Sequence, residues 1–192
     1  LQADGAGDEQ RTAQRGGFRN GAGPCFRYDQ IGGCRELTSL LLMKGMRRIA
    51  LLGGSMLYTV NKSRLEGFQQ AYARAGLTPE PALLHLELES EMQRIHAIEQ
   101  TLTQNPECIL CMDEDVAALV MRTLKSKGVP VPGQVRVASL YDSEDLQDMT
   151  PAVSAVQFDA FQLGYSAARL LLSALSGSVE ERQIQLGFQV VL

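Results

Sequence analysis

GMRRIALLGGSMLYTVNKSRLEGF, residues 45–68, is the stretch around which the rest of this sequence can be arranged. Its apolar run at residues 49–52 does not alternate with polar residues, which is typical of a parallel strand covered on both faces. Two glycines and a polar loop follow, and then Leu65 and Phe68 begin an apolar stripe at helical spacing that stops near Gly76. The stretch therefore predicts a strand, a turn and a helix, and ligands of open α/β sheets bind where such strands end.

The composition is that of an ordinary globular chain. Its 192 residues are 45% hydrophobic, which suffices for one good core or two small ones. The formal net charge of −4 disfavours direct nucleic-acid binding by this segment, because such surfaces carry a basic face. No apolar run approaches the roughly 18 residues of a membrane span, and no signal peptide is recognisable. We therefore expect a cytoplasmic protein without membrane contact.

From residue 25 onward, strand-like and helix-like segments alternate, which predicts an α/β fold with a doubly wound parallel sheet. The preceding residues 1–24 hold six glycines and no hydrophobic period, so we expect an irregular tail there. One predicted helix has Met92, Ile95 and Ile98 on a single face. Besides the opening strand, the predicted strands are residues 82–86, 108–112, 135–140, 152–156 and 183–192.

Three short motifs have the residue types of functional sites without the required spacing. Cys108 and Cys111 form a CxxC, but no second pair exists, and residues three apart on a strand point to opposite faces. The GGS at residues 53–55 lacks the spacing of a phosphate loop and favours a tight turn. His85 and His96 have no carboxylate or cysteine at ligand spacing beside them. We expect neither a metal nor a cofactor, and no hydrolase motif occurs.

Polar side chains follow the ends of the predicted strands. Arg64 begins the helix after the first strand, Asp113 follows the cysteine-containing strand, and Tyr141 and Asp142 follow the next. Because the carboxyl ends of parallel strands share one edge, Arg64, Asp113 and Asp142 are expected to converge on one crevice. Carboxylates and a guanidinium suit a small ligand with several hydroxyls. Two alternatives remain open: Asp113 as a helix N-cap, and Arg64 as a solvated helix residue.

Several sequence segments, in a fixed order, carry a family resemblance. They are GMRRIALLGG, RLEGFQQAYARAGL, NPECILCMDEDVAALVM, GVPVPGQVRVASLYDS and PAVSAVQFDAFQLGYSAARLLL, with Asp29 sixteen residues before the first. The chain from residue 24 resembles the effector-binding domain of LacI/GalR-type bacterial transcriptional regulators, which have a periplasmic-binding-protein-like fold of type I. The resemblance implies two lobes closing on a small, sugar-like effector, no catalysis, a homodimer, and operator DNA bound through a separate headpiece. A solute-binding protein of a sugar transporter, which shares this fold, is the alternative.

The resemblance also assigns roles to residues and segments. It implies effector contacts at Arg64, Asp113, Tyr141 and Asp142, and an aromatic contact at Phe161 or at its neighbour Ala160. It predicts that residues 25–151 form the C-terminal lobe with its entry crossover, that residues 152–178 return to a partial N-terminal lobe, and that residues 179–192 supply the last strand of the C-terminal lobe. Neither the headpiece nor much of the first lobe has a counterpart in this chain, so we expect a fragment of a longer regulator.

Overall fold

A computed structural model describes residues 25–177 and 183–192, and the predicted tail at residues 1–24 lies outside them. The strands are β1 Cys25–Tyr28, β2 Ile49–Leu52, β3 Leu84–His85, β4 Cys108–Cys111, β5 Arg136–Ser139, β6 Ser154–Gln157, β7 Gln183–Leu186 and β8 Gln189–Val191. The helices are α1 Gln30–Met43, α2 Thr59–Arg74, α3 Glu91–Thr103, α4 Glu114–Ser126, α5 Glu144–Gln147 and α6 Ala160–Leu175. Within these residues no helix combines the length and apolar content needed to cross a membrane.

The main sheet has the strand order β3-β2-β4-β5-β6-β8. Its first five strands are parallel, and β8 runs antiparallel to β6. Strands β1 and β7 pair with each other in a separate parallel ribbon. The predicted α/β fold with a parallel sheet is confirmed, and the carboxyl ends of β2, β4, β5 and β6 lie along one edge.

Helices cover both faces of the main sheet, which explains the unbroken apolar strands. Every residue of β2 and β4 is buried. Cys108 and Leu110 pack with α1 and α2 on one face, whereas Ile109 and Cys111 pack with α3 and α4 on the other. The two cysteines of the CxxC thus point to opposite faces, as their spacing on a strand predicts.

A glycine allows α1 and α2 to pack closely. A Cβ atom on Gly67 would lie 2.9 Å from Cys34 Cβ and would also meet the carbonyl oxygen of Ile31. Only a residue without a side chain fits this contact. The close approach matters for the edge of the sheet, because it holds Arg64, one turn earlier on α2, against Gln30 at the start of α1.

Three local predictions are wrong. The strand expected at residues 82–86 is a 3₁₀ turn, Pro81–Leu83, followed by the two residues of β3, since the proline suits a turn start and cannot donate to a ladder. The apolar face predicted from Met92 to Ile98 does not reach the core at its first residue: Met92 is 81% exposed, and the buried residues of α3 begin at Ala97. The single strand expected at residues 183–192 is two strands, which pair with different partners on either side of a Gly-Phe break.

Helix α6 is covered much less than the other long helices. Its only buried residue is Leu170. Phe161, Leu172 and Leu175 are all largely exposed, although they are large and apolar. The predicted division of the chain into residues 25–151, 152–178 and 179–192 stays a prediction.

Candidate functional site

Arg64 is buried at the carboxyl edge of the sheet, with 6% of its surface exposed. Its Nε donates to Gln30 Oε1 at 2.9 Å, and its Nη1 donates to the carbonyl oxygen of Met112. Burial lowers the pKa of the guanidinium, and the nearby carboxylate of Asp113 acts in the opposite direction. The group stays charged, because arginine does not deprotonate in proteins. The alternative of a solvated helix residue is therefore excluded.

Asp113 is an N-cap, as the capping alternative predicts. Its Oδ1 accepts a hydrogen bond from Val116 N at 2.9 Å at the start of α4. Its other carboxylate oxygen has no hydrogen-bond partner among the described residues. A carboxylate has two oxygens and about four acceptor positions. Capping with one oxygen therefore leaves the other available to a ligand, so the two roles are compatible.

Asp142 is held by two amide side chains. Its Oδ2 accepts from Gln147 Nε2 at 2.5 Å and from Gln157 Nε2 at 2.6 Å. Gln157 is the last residue of β6, so this contact ties the loop after β5 to the neighbouring strand. Tyr141 precedes Asp142 and is fixed through its backbone, since Ser139 Oγ donates to Tyr141 O at 2.5 Å. These hydrogen bonds hold Tyr141 and Asp142 at the same edge of the sheet as Asp113.

A row of aromatic rings lies at this edge, and only one of its members was predicted. We call Tyr28, Phe158 and Tyr141 the aromatic row. Tyr28 and Phe158 stack with centroids 4.5 Å apart and 28° between their planes, and Tyr141 stacks on Phe158 at 6.0 Å and 29°. All three side chains are partly buried. Burial raises the pKa of Tyr28, and neighbouring Tyr141 and Asp159 add to this effect.

Two further aspartates at strand ends were missed by the sequence analysis as candidate site residues. Asp29 follows β1 and caps α1 through a hydrogen bond from Gly32 N to its Oδ1 at 2.8 Å. Asp159 follows β6 and caps α6 through Gln162 N to its Oδ1, also at 2.8 Å. The available signal was an aspartate directly after an aromatic residue at the end of a strand.

Phe161 differs from the other predicted site residues. It lies in the first turn of α6, is 81% exposed, and stacks on Tyr165 at 6.4 Å with 12° between the rings. Among the described residues, its ring contact is with Tyr165 and not with the aromatic row. Ala160, the other candidate, is exposed as well. A ligand contact at either position stays a prediction.

Three of the cysteines are buried thiols. Burial raises the pKa of Cys34 and of Cys108 to about 12, and it raises that of Cys111 as well. Thiolate is the reactive form of cysteine, so these groups are inert in the native state. Within the described ranges, no group of three or more histidine, cysteine or carboxylate side chains has the arrangement of a metal site.

This inertness can be measured with a thiol reagent. The experiment uses a Cys25→Ser variant at pH 8, which retains the three buried thiols. We expect Ellman's reagent to label none of them within minutes in native buffer, because both burial and the raised pKa suppress the thiolate form. In 6 M guanidinium chloride we expect the reagent to label all three. Rapid native labelling of Cys108 or Cys111 would contradict the assignment of the CxxC to core packing.

Residues 38–191 match the family described as the periplasmic binding protein-like domain. This chain belongs to that family. The HTH-type transcriptional regulator CelR of Thermobifida fusca is 26% identical over 155 residues, which cover 80% of this chain and 46% of that protein. This chain thus spans about half the length of this relative. The resemblance to effector-binding domains of LacI-type regulators is confirmed.

Solved structures of this family show the same fold. A transcriptional regulator CelR–cellobiose complex superposes with a TM-score of 0.81 at 24% identity, covering 92% of this chain and 55% of that one. A regulatory protein of the LacI family from Chloroflexus aggregans gives a TM-score of 0.84 at 20% identity, covering 91% and 64%. At these identities the superpositions establish the shared fold.

Proposed function

We propose that this chain is the effector-sensing part of a LacI-type transcriptional regulator, which binds a small polar, sugar-like ligand and thereby controls operator DNA binding in the cytoplasm. The observation that carries the proposal is the buried guanidinium of Arg64, clamped between Gln30 and Met112 at the sheet edge where Asp113 and Asp142 also lie. Ligands of open α/β sheets bind at this edge. The regulators to which the chain is similar support the same function.

The residues at the edge suit a ligand with several hydroxyls. The Nη2 of Arg64 has no hydrogen-bond partner among the described residues and can donate to a hydroxyl, and the free oxygens of Asp113 and Asp142 accept hydrogen bonds from hydroxyls. Hydrogen bonds to charged groups are about twice as strong as those between neutral groups. Because these side chains are already held by the protein, the ligand does not have to order them.

Signal transmission requires a second lobe. We propose that residues 25–151 form the C-terminal lobe with its entry crossover, that residues 152–178 return to a partial N-terminal lobe, and that residues 179–192 add the last strand of the C-terminal lobe. The exposed apolar surface of α6 supports this division, because a helix with such a face normally packs against other elements. A ligand that contacts both lobes favours the closed state, and closure alters the orientation of a DNA-binding headpiece.

We also propose that the regulator is a homodimer through a patch near the start of α2. Leu57 is 85% exposed, and Tyr58, Val60 and Met92 are exposed too. Glu87 Oε1 accepts a hydrogen bond from Met56 N at 3.0 Å, which links the loop before α3 to the loop before α2. Sedimentation of the chain should show a dimer that Leu57→Lys dissociates, whereas Leu171→Lys on α6 should have no effect. A monomer at 100 µM contradicts the proposal.

A ligand screen tests the function. Neutral sugars, sugar phosphates and nucleosides are added to the chain, and unfolding is followed by thermal shift. A ligand present at 100 times its Kd stabilises the native state by about 2.7 kcal/mol, which such a screen detects easily. The proposed function fails if no sugar-like compound stabilises the chain at millimolar concentration.

The Asp142 carboxylate provides the first mutational check. We expect Asp142→Ala to weaken the binding of any hit at least about tenfold, since a charge-assisted hydrogen bond is lost and the two glutamine amides lose their acceptor. Isothermal titration measures the change. Asp145→Ala, which removes an exposed carboxylate from the adjacent helix α5, should leave the affinity unchanged. Equal affinities of the wild type and Asp142→Ala would remove Asp142 from the site.

A further inference from the structure

A cavity of about 390 Å³ lies between the C-terminal ends of α1 and α2, and we call it the amino-edge cavity. Both helices start near the carboxyl edge of the sheet, where Gln30 contacts Arg64, and end at the amino edge, where the chain enters β2. The cavity is therefore at the opposite end of this helix pair from Arg64. Its volume is within the range of small-molecule sites, about 300–1,000 Å³.

Most of the lining of the amino-edge cavity is apolar. Leu42 and Ala71 are buried and form its floor, whereas Met43 is 81% exposed and lies at its rim. Ala75 and Leu77 complete the apolar lining. A methionine side chain adapts to irregular partners, and its sulfur makes favourable contacts with aromatic rings. This lining suits a small, flat, apolar group.

Two arginines line the same cavity. Arg47 Nη1 donates to the carbonyl oxygens of Leu42 at 2.6 Å and Met46 at 3.0 Å, and its Nη2 has no hydrogen-bond partner within residues 25–177 and 183–192. Arg74, in the last turn of α2, forms neither a hydrogen bond nor an ion pair with any residue that the structure describes. The cavity thus offers guanidinium N–H donors that the described part of the protein leaves without acceptors.

The carboxylates at this edge have other partners. Glu80 pairs with Arg48, and Glu107 Oε2 accepts hydrogen bonds from the backbone N–H groups of Arg47 and Arg48 at 2.5 and 2.9 Å. Neither carboxylate lines the cavity. Each helix C-terminus carries about half an elementary negative charge, so the two helix ends offset about one of the two guanidinium charges. The cavity therefore stays positive, although the whole chain has a net charge of −4.

We propose that the amino-edge cavity is a second ligand site, which binds a small aromatic anion. The guanidinium groups of Arg47 and Arg74 hold the phosphate or carboxylate of this ligand, and the apolar lining covers its ring. Guanidinium groups suit both parts, because they bind oxyanions through paired N–H groups and also stack on aromatic faces. This site lies away from the carboxyl edge and is independent of the proposed effector-sensing function.

Phenyl phosphate serves as the probe, titrated into the full chain and followed by ligand-observed NMR. Inorganic phosphate has the anion without the ring, and benzyl alcohol has the ring without the anion. We expect phenyl phosphate to bind at least about tenfold more tightly than either compound, since only it uses both the arginines and the apolar lining. Equal affinities, or no binding of phenyl phosphate at millimolar concentration, overturn the inference and leave the proposed function standing.

A pair of arginine variants tests the role of charge. Arg74→Gln removes one guanidinium from the cavity and should weaken the binding of phenyl phosphate at least about tenfold. Arg136→Gln replaces an exposed arginine at the start of β5, on the same edge but outside the cavity, and should leave the affinity unchanged. Equal effects of the two variants would show general electrostatic attraction and contradict a defined site.

A pair of alanine variants tests the role of the cavity itself. Ala75→Leu places a larger side chain in the cavity from the exposed end of α2, and we expect it to abolish binding of phenyl phosphate while thermal unfolding stays cooperative. Ala73→Leu adds the same atoms at an exposed position of α2 outside the cavity and should bind the probe like the wild type. Normal binding by a folded Ala75→Leu protein would place the probe elsewhere and refute the site.

Discussion

Replacing Gly67 by alanine will lower the free energy of unfolding by about 2–3 kcal/mol, the cost of forcing extra atoms into a packed contact. The added Cβ would lie 2.9 Å from Cys34 Cβ and would also meet Ile31 O, which belongs to the backbone of α1 and cannot move alone. The loss exceeds the gain of about 0.5–1 kcal/mol that alanine normally brings to a helix interior. Urea denaturation followed by circular dichroism measures the difference.

Gly164→Ala is the matched control, because it places the same methyl group in the interior of another helix. A Cβ atom on Gly164 meets nothing within 4 Å, so alanine should be neutral or stabilise the protein by less than about 1 kcal/mol. If Gly67→Ala is as stable as the wild type, the two helices can separate without cost, and the packing argument that holds Arg64 against Gln30 fails.

Arg64→Lys will weaken ligand binding by about 100-fold or more in a titration with any hit from the sugar screen. A lysine ammonium is a point donor and cannot reproduce the planar fork that spans Gln30 Oε1 and the carbonyl of Met112 while facing a ligand. The same change should cost about 2 kcal/mol of stability, because buried polar groups lose their partners.

Arg35→Lys is the corresponding control. Arg35 is only partly buried on α1 and donates to Gln70 Oε1 at 2.9 Å, so its replacement by lysine removes a hydrogen bond without touching the sheet edge. We expect ligand affinity to stay unchanged and stability to fall by less than about 1 kcal/mol. An Arg64→Lys protein that binds ligand normally would show that the buried guanidinium supports the fold alone.

Much of the fold was predictable, because its signals are local. The continuous apolar runs at β2 and β4 indicated strands buried on both faces, and the apolar stripes of α2 and α4 ended at Gly76 and Gly128, both of which adopt positive φ. The failures occurred where local signals were weak. The apolar residues 183–192 predicted one strand, but they form two, because β7 pairs with β1 and β8 pairs with β6.

The candidate site was predictable in part. Arg64, Asp113 and Asp142 follow strand ends, so the parallel sheet alone places them at one edge. Tyr28 and Phe158 carried no comparable signal, because a lone aromatic residue after a strand is as common in a core as in a site. Their stacking depends on the relative positions of β1 and β6, which no short-range pattern specifies.

The sequence by itself determined the α/β class, most of the strands and helices, and which polar residues lie at one edge of the sheet, because these follow from residue spacing and from the common direction of parallel strands. Only the tertiary structure decided that Arg64 is buried and that Tyr28, Phe158 and Tyr141 form one row. It also decided that Asp113 caps α4 with one carboxylate oxygen and leaves the other without a hydrogen-bond partner among the described residues. Burial, capping and stacking depend on contacts between segments distant in the chain, so the packing of α1 on α2 and the pairing of strands establish them.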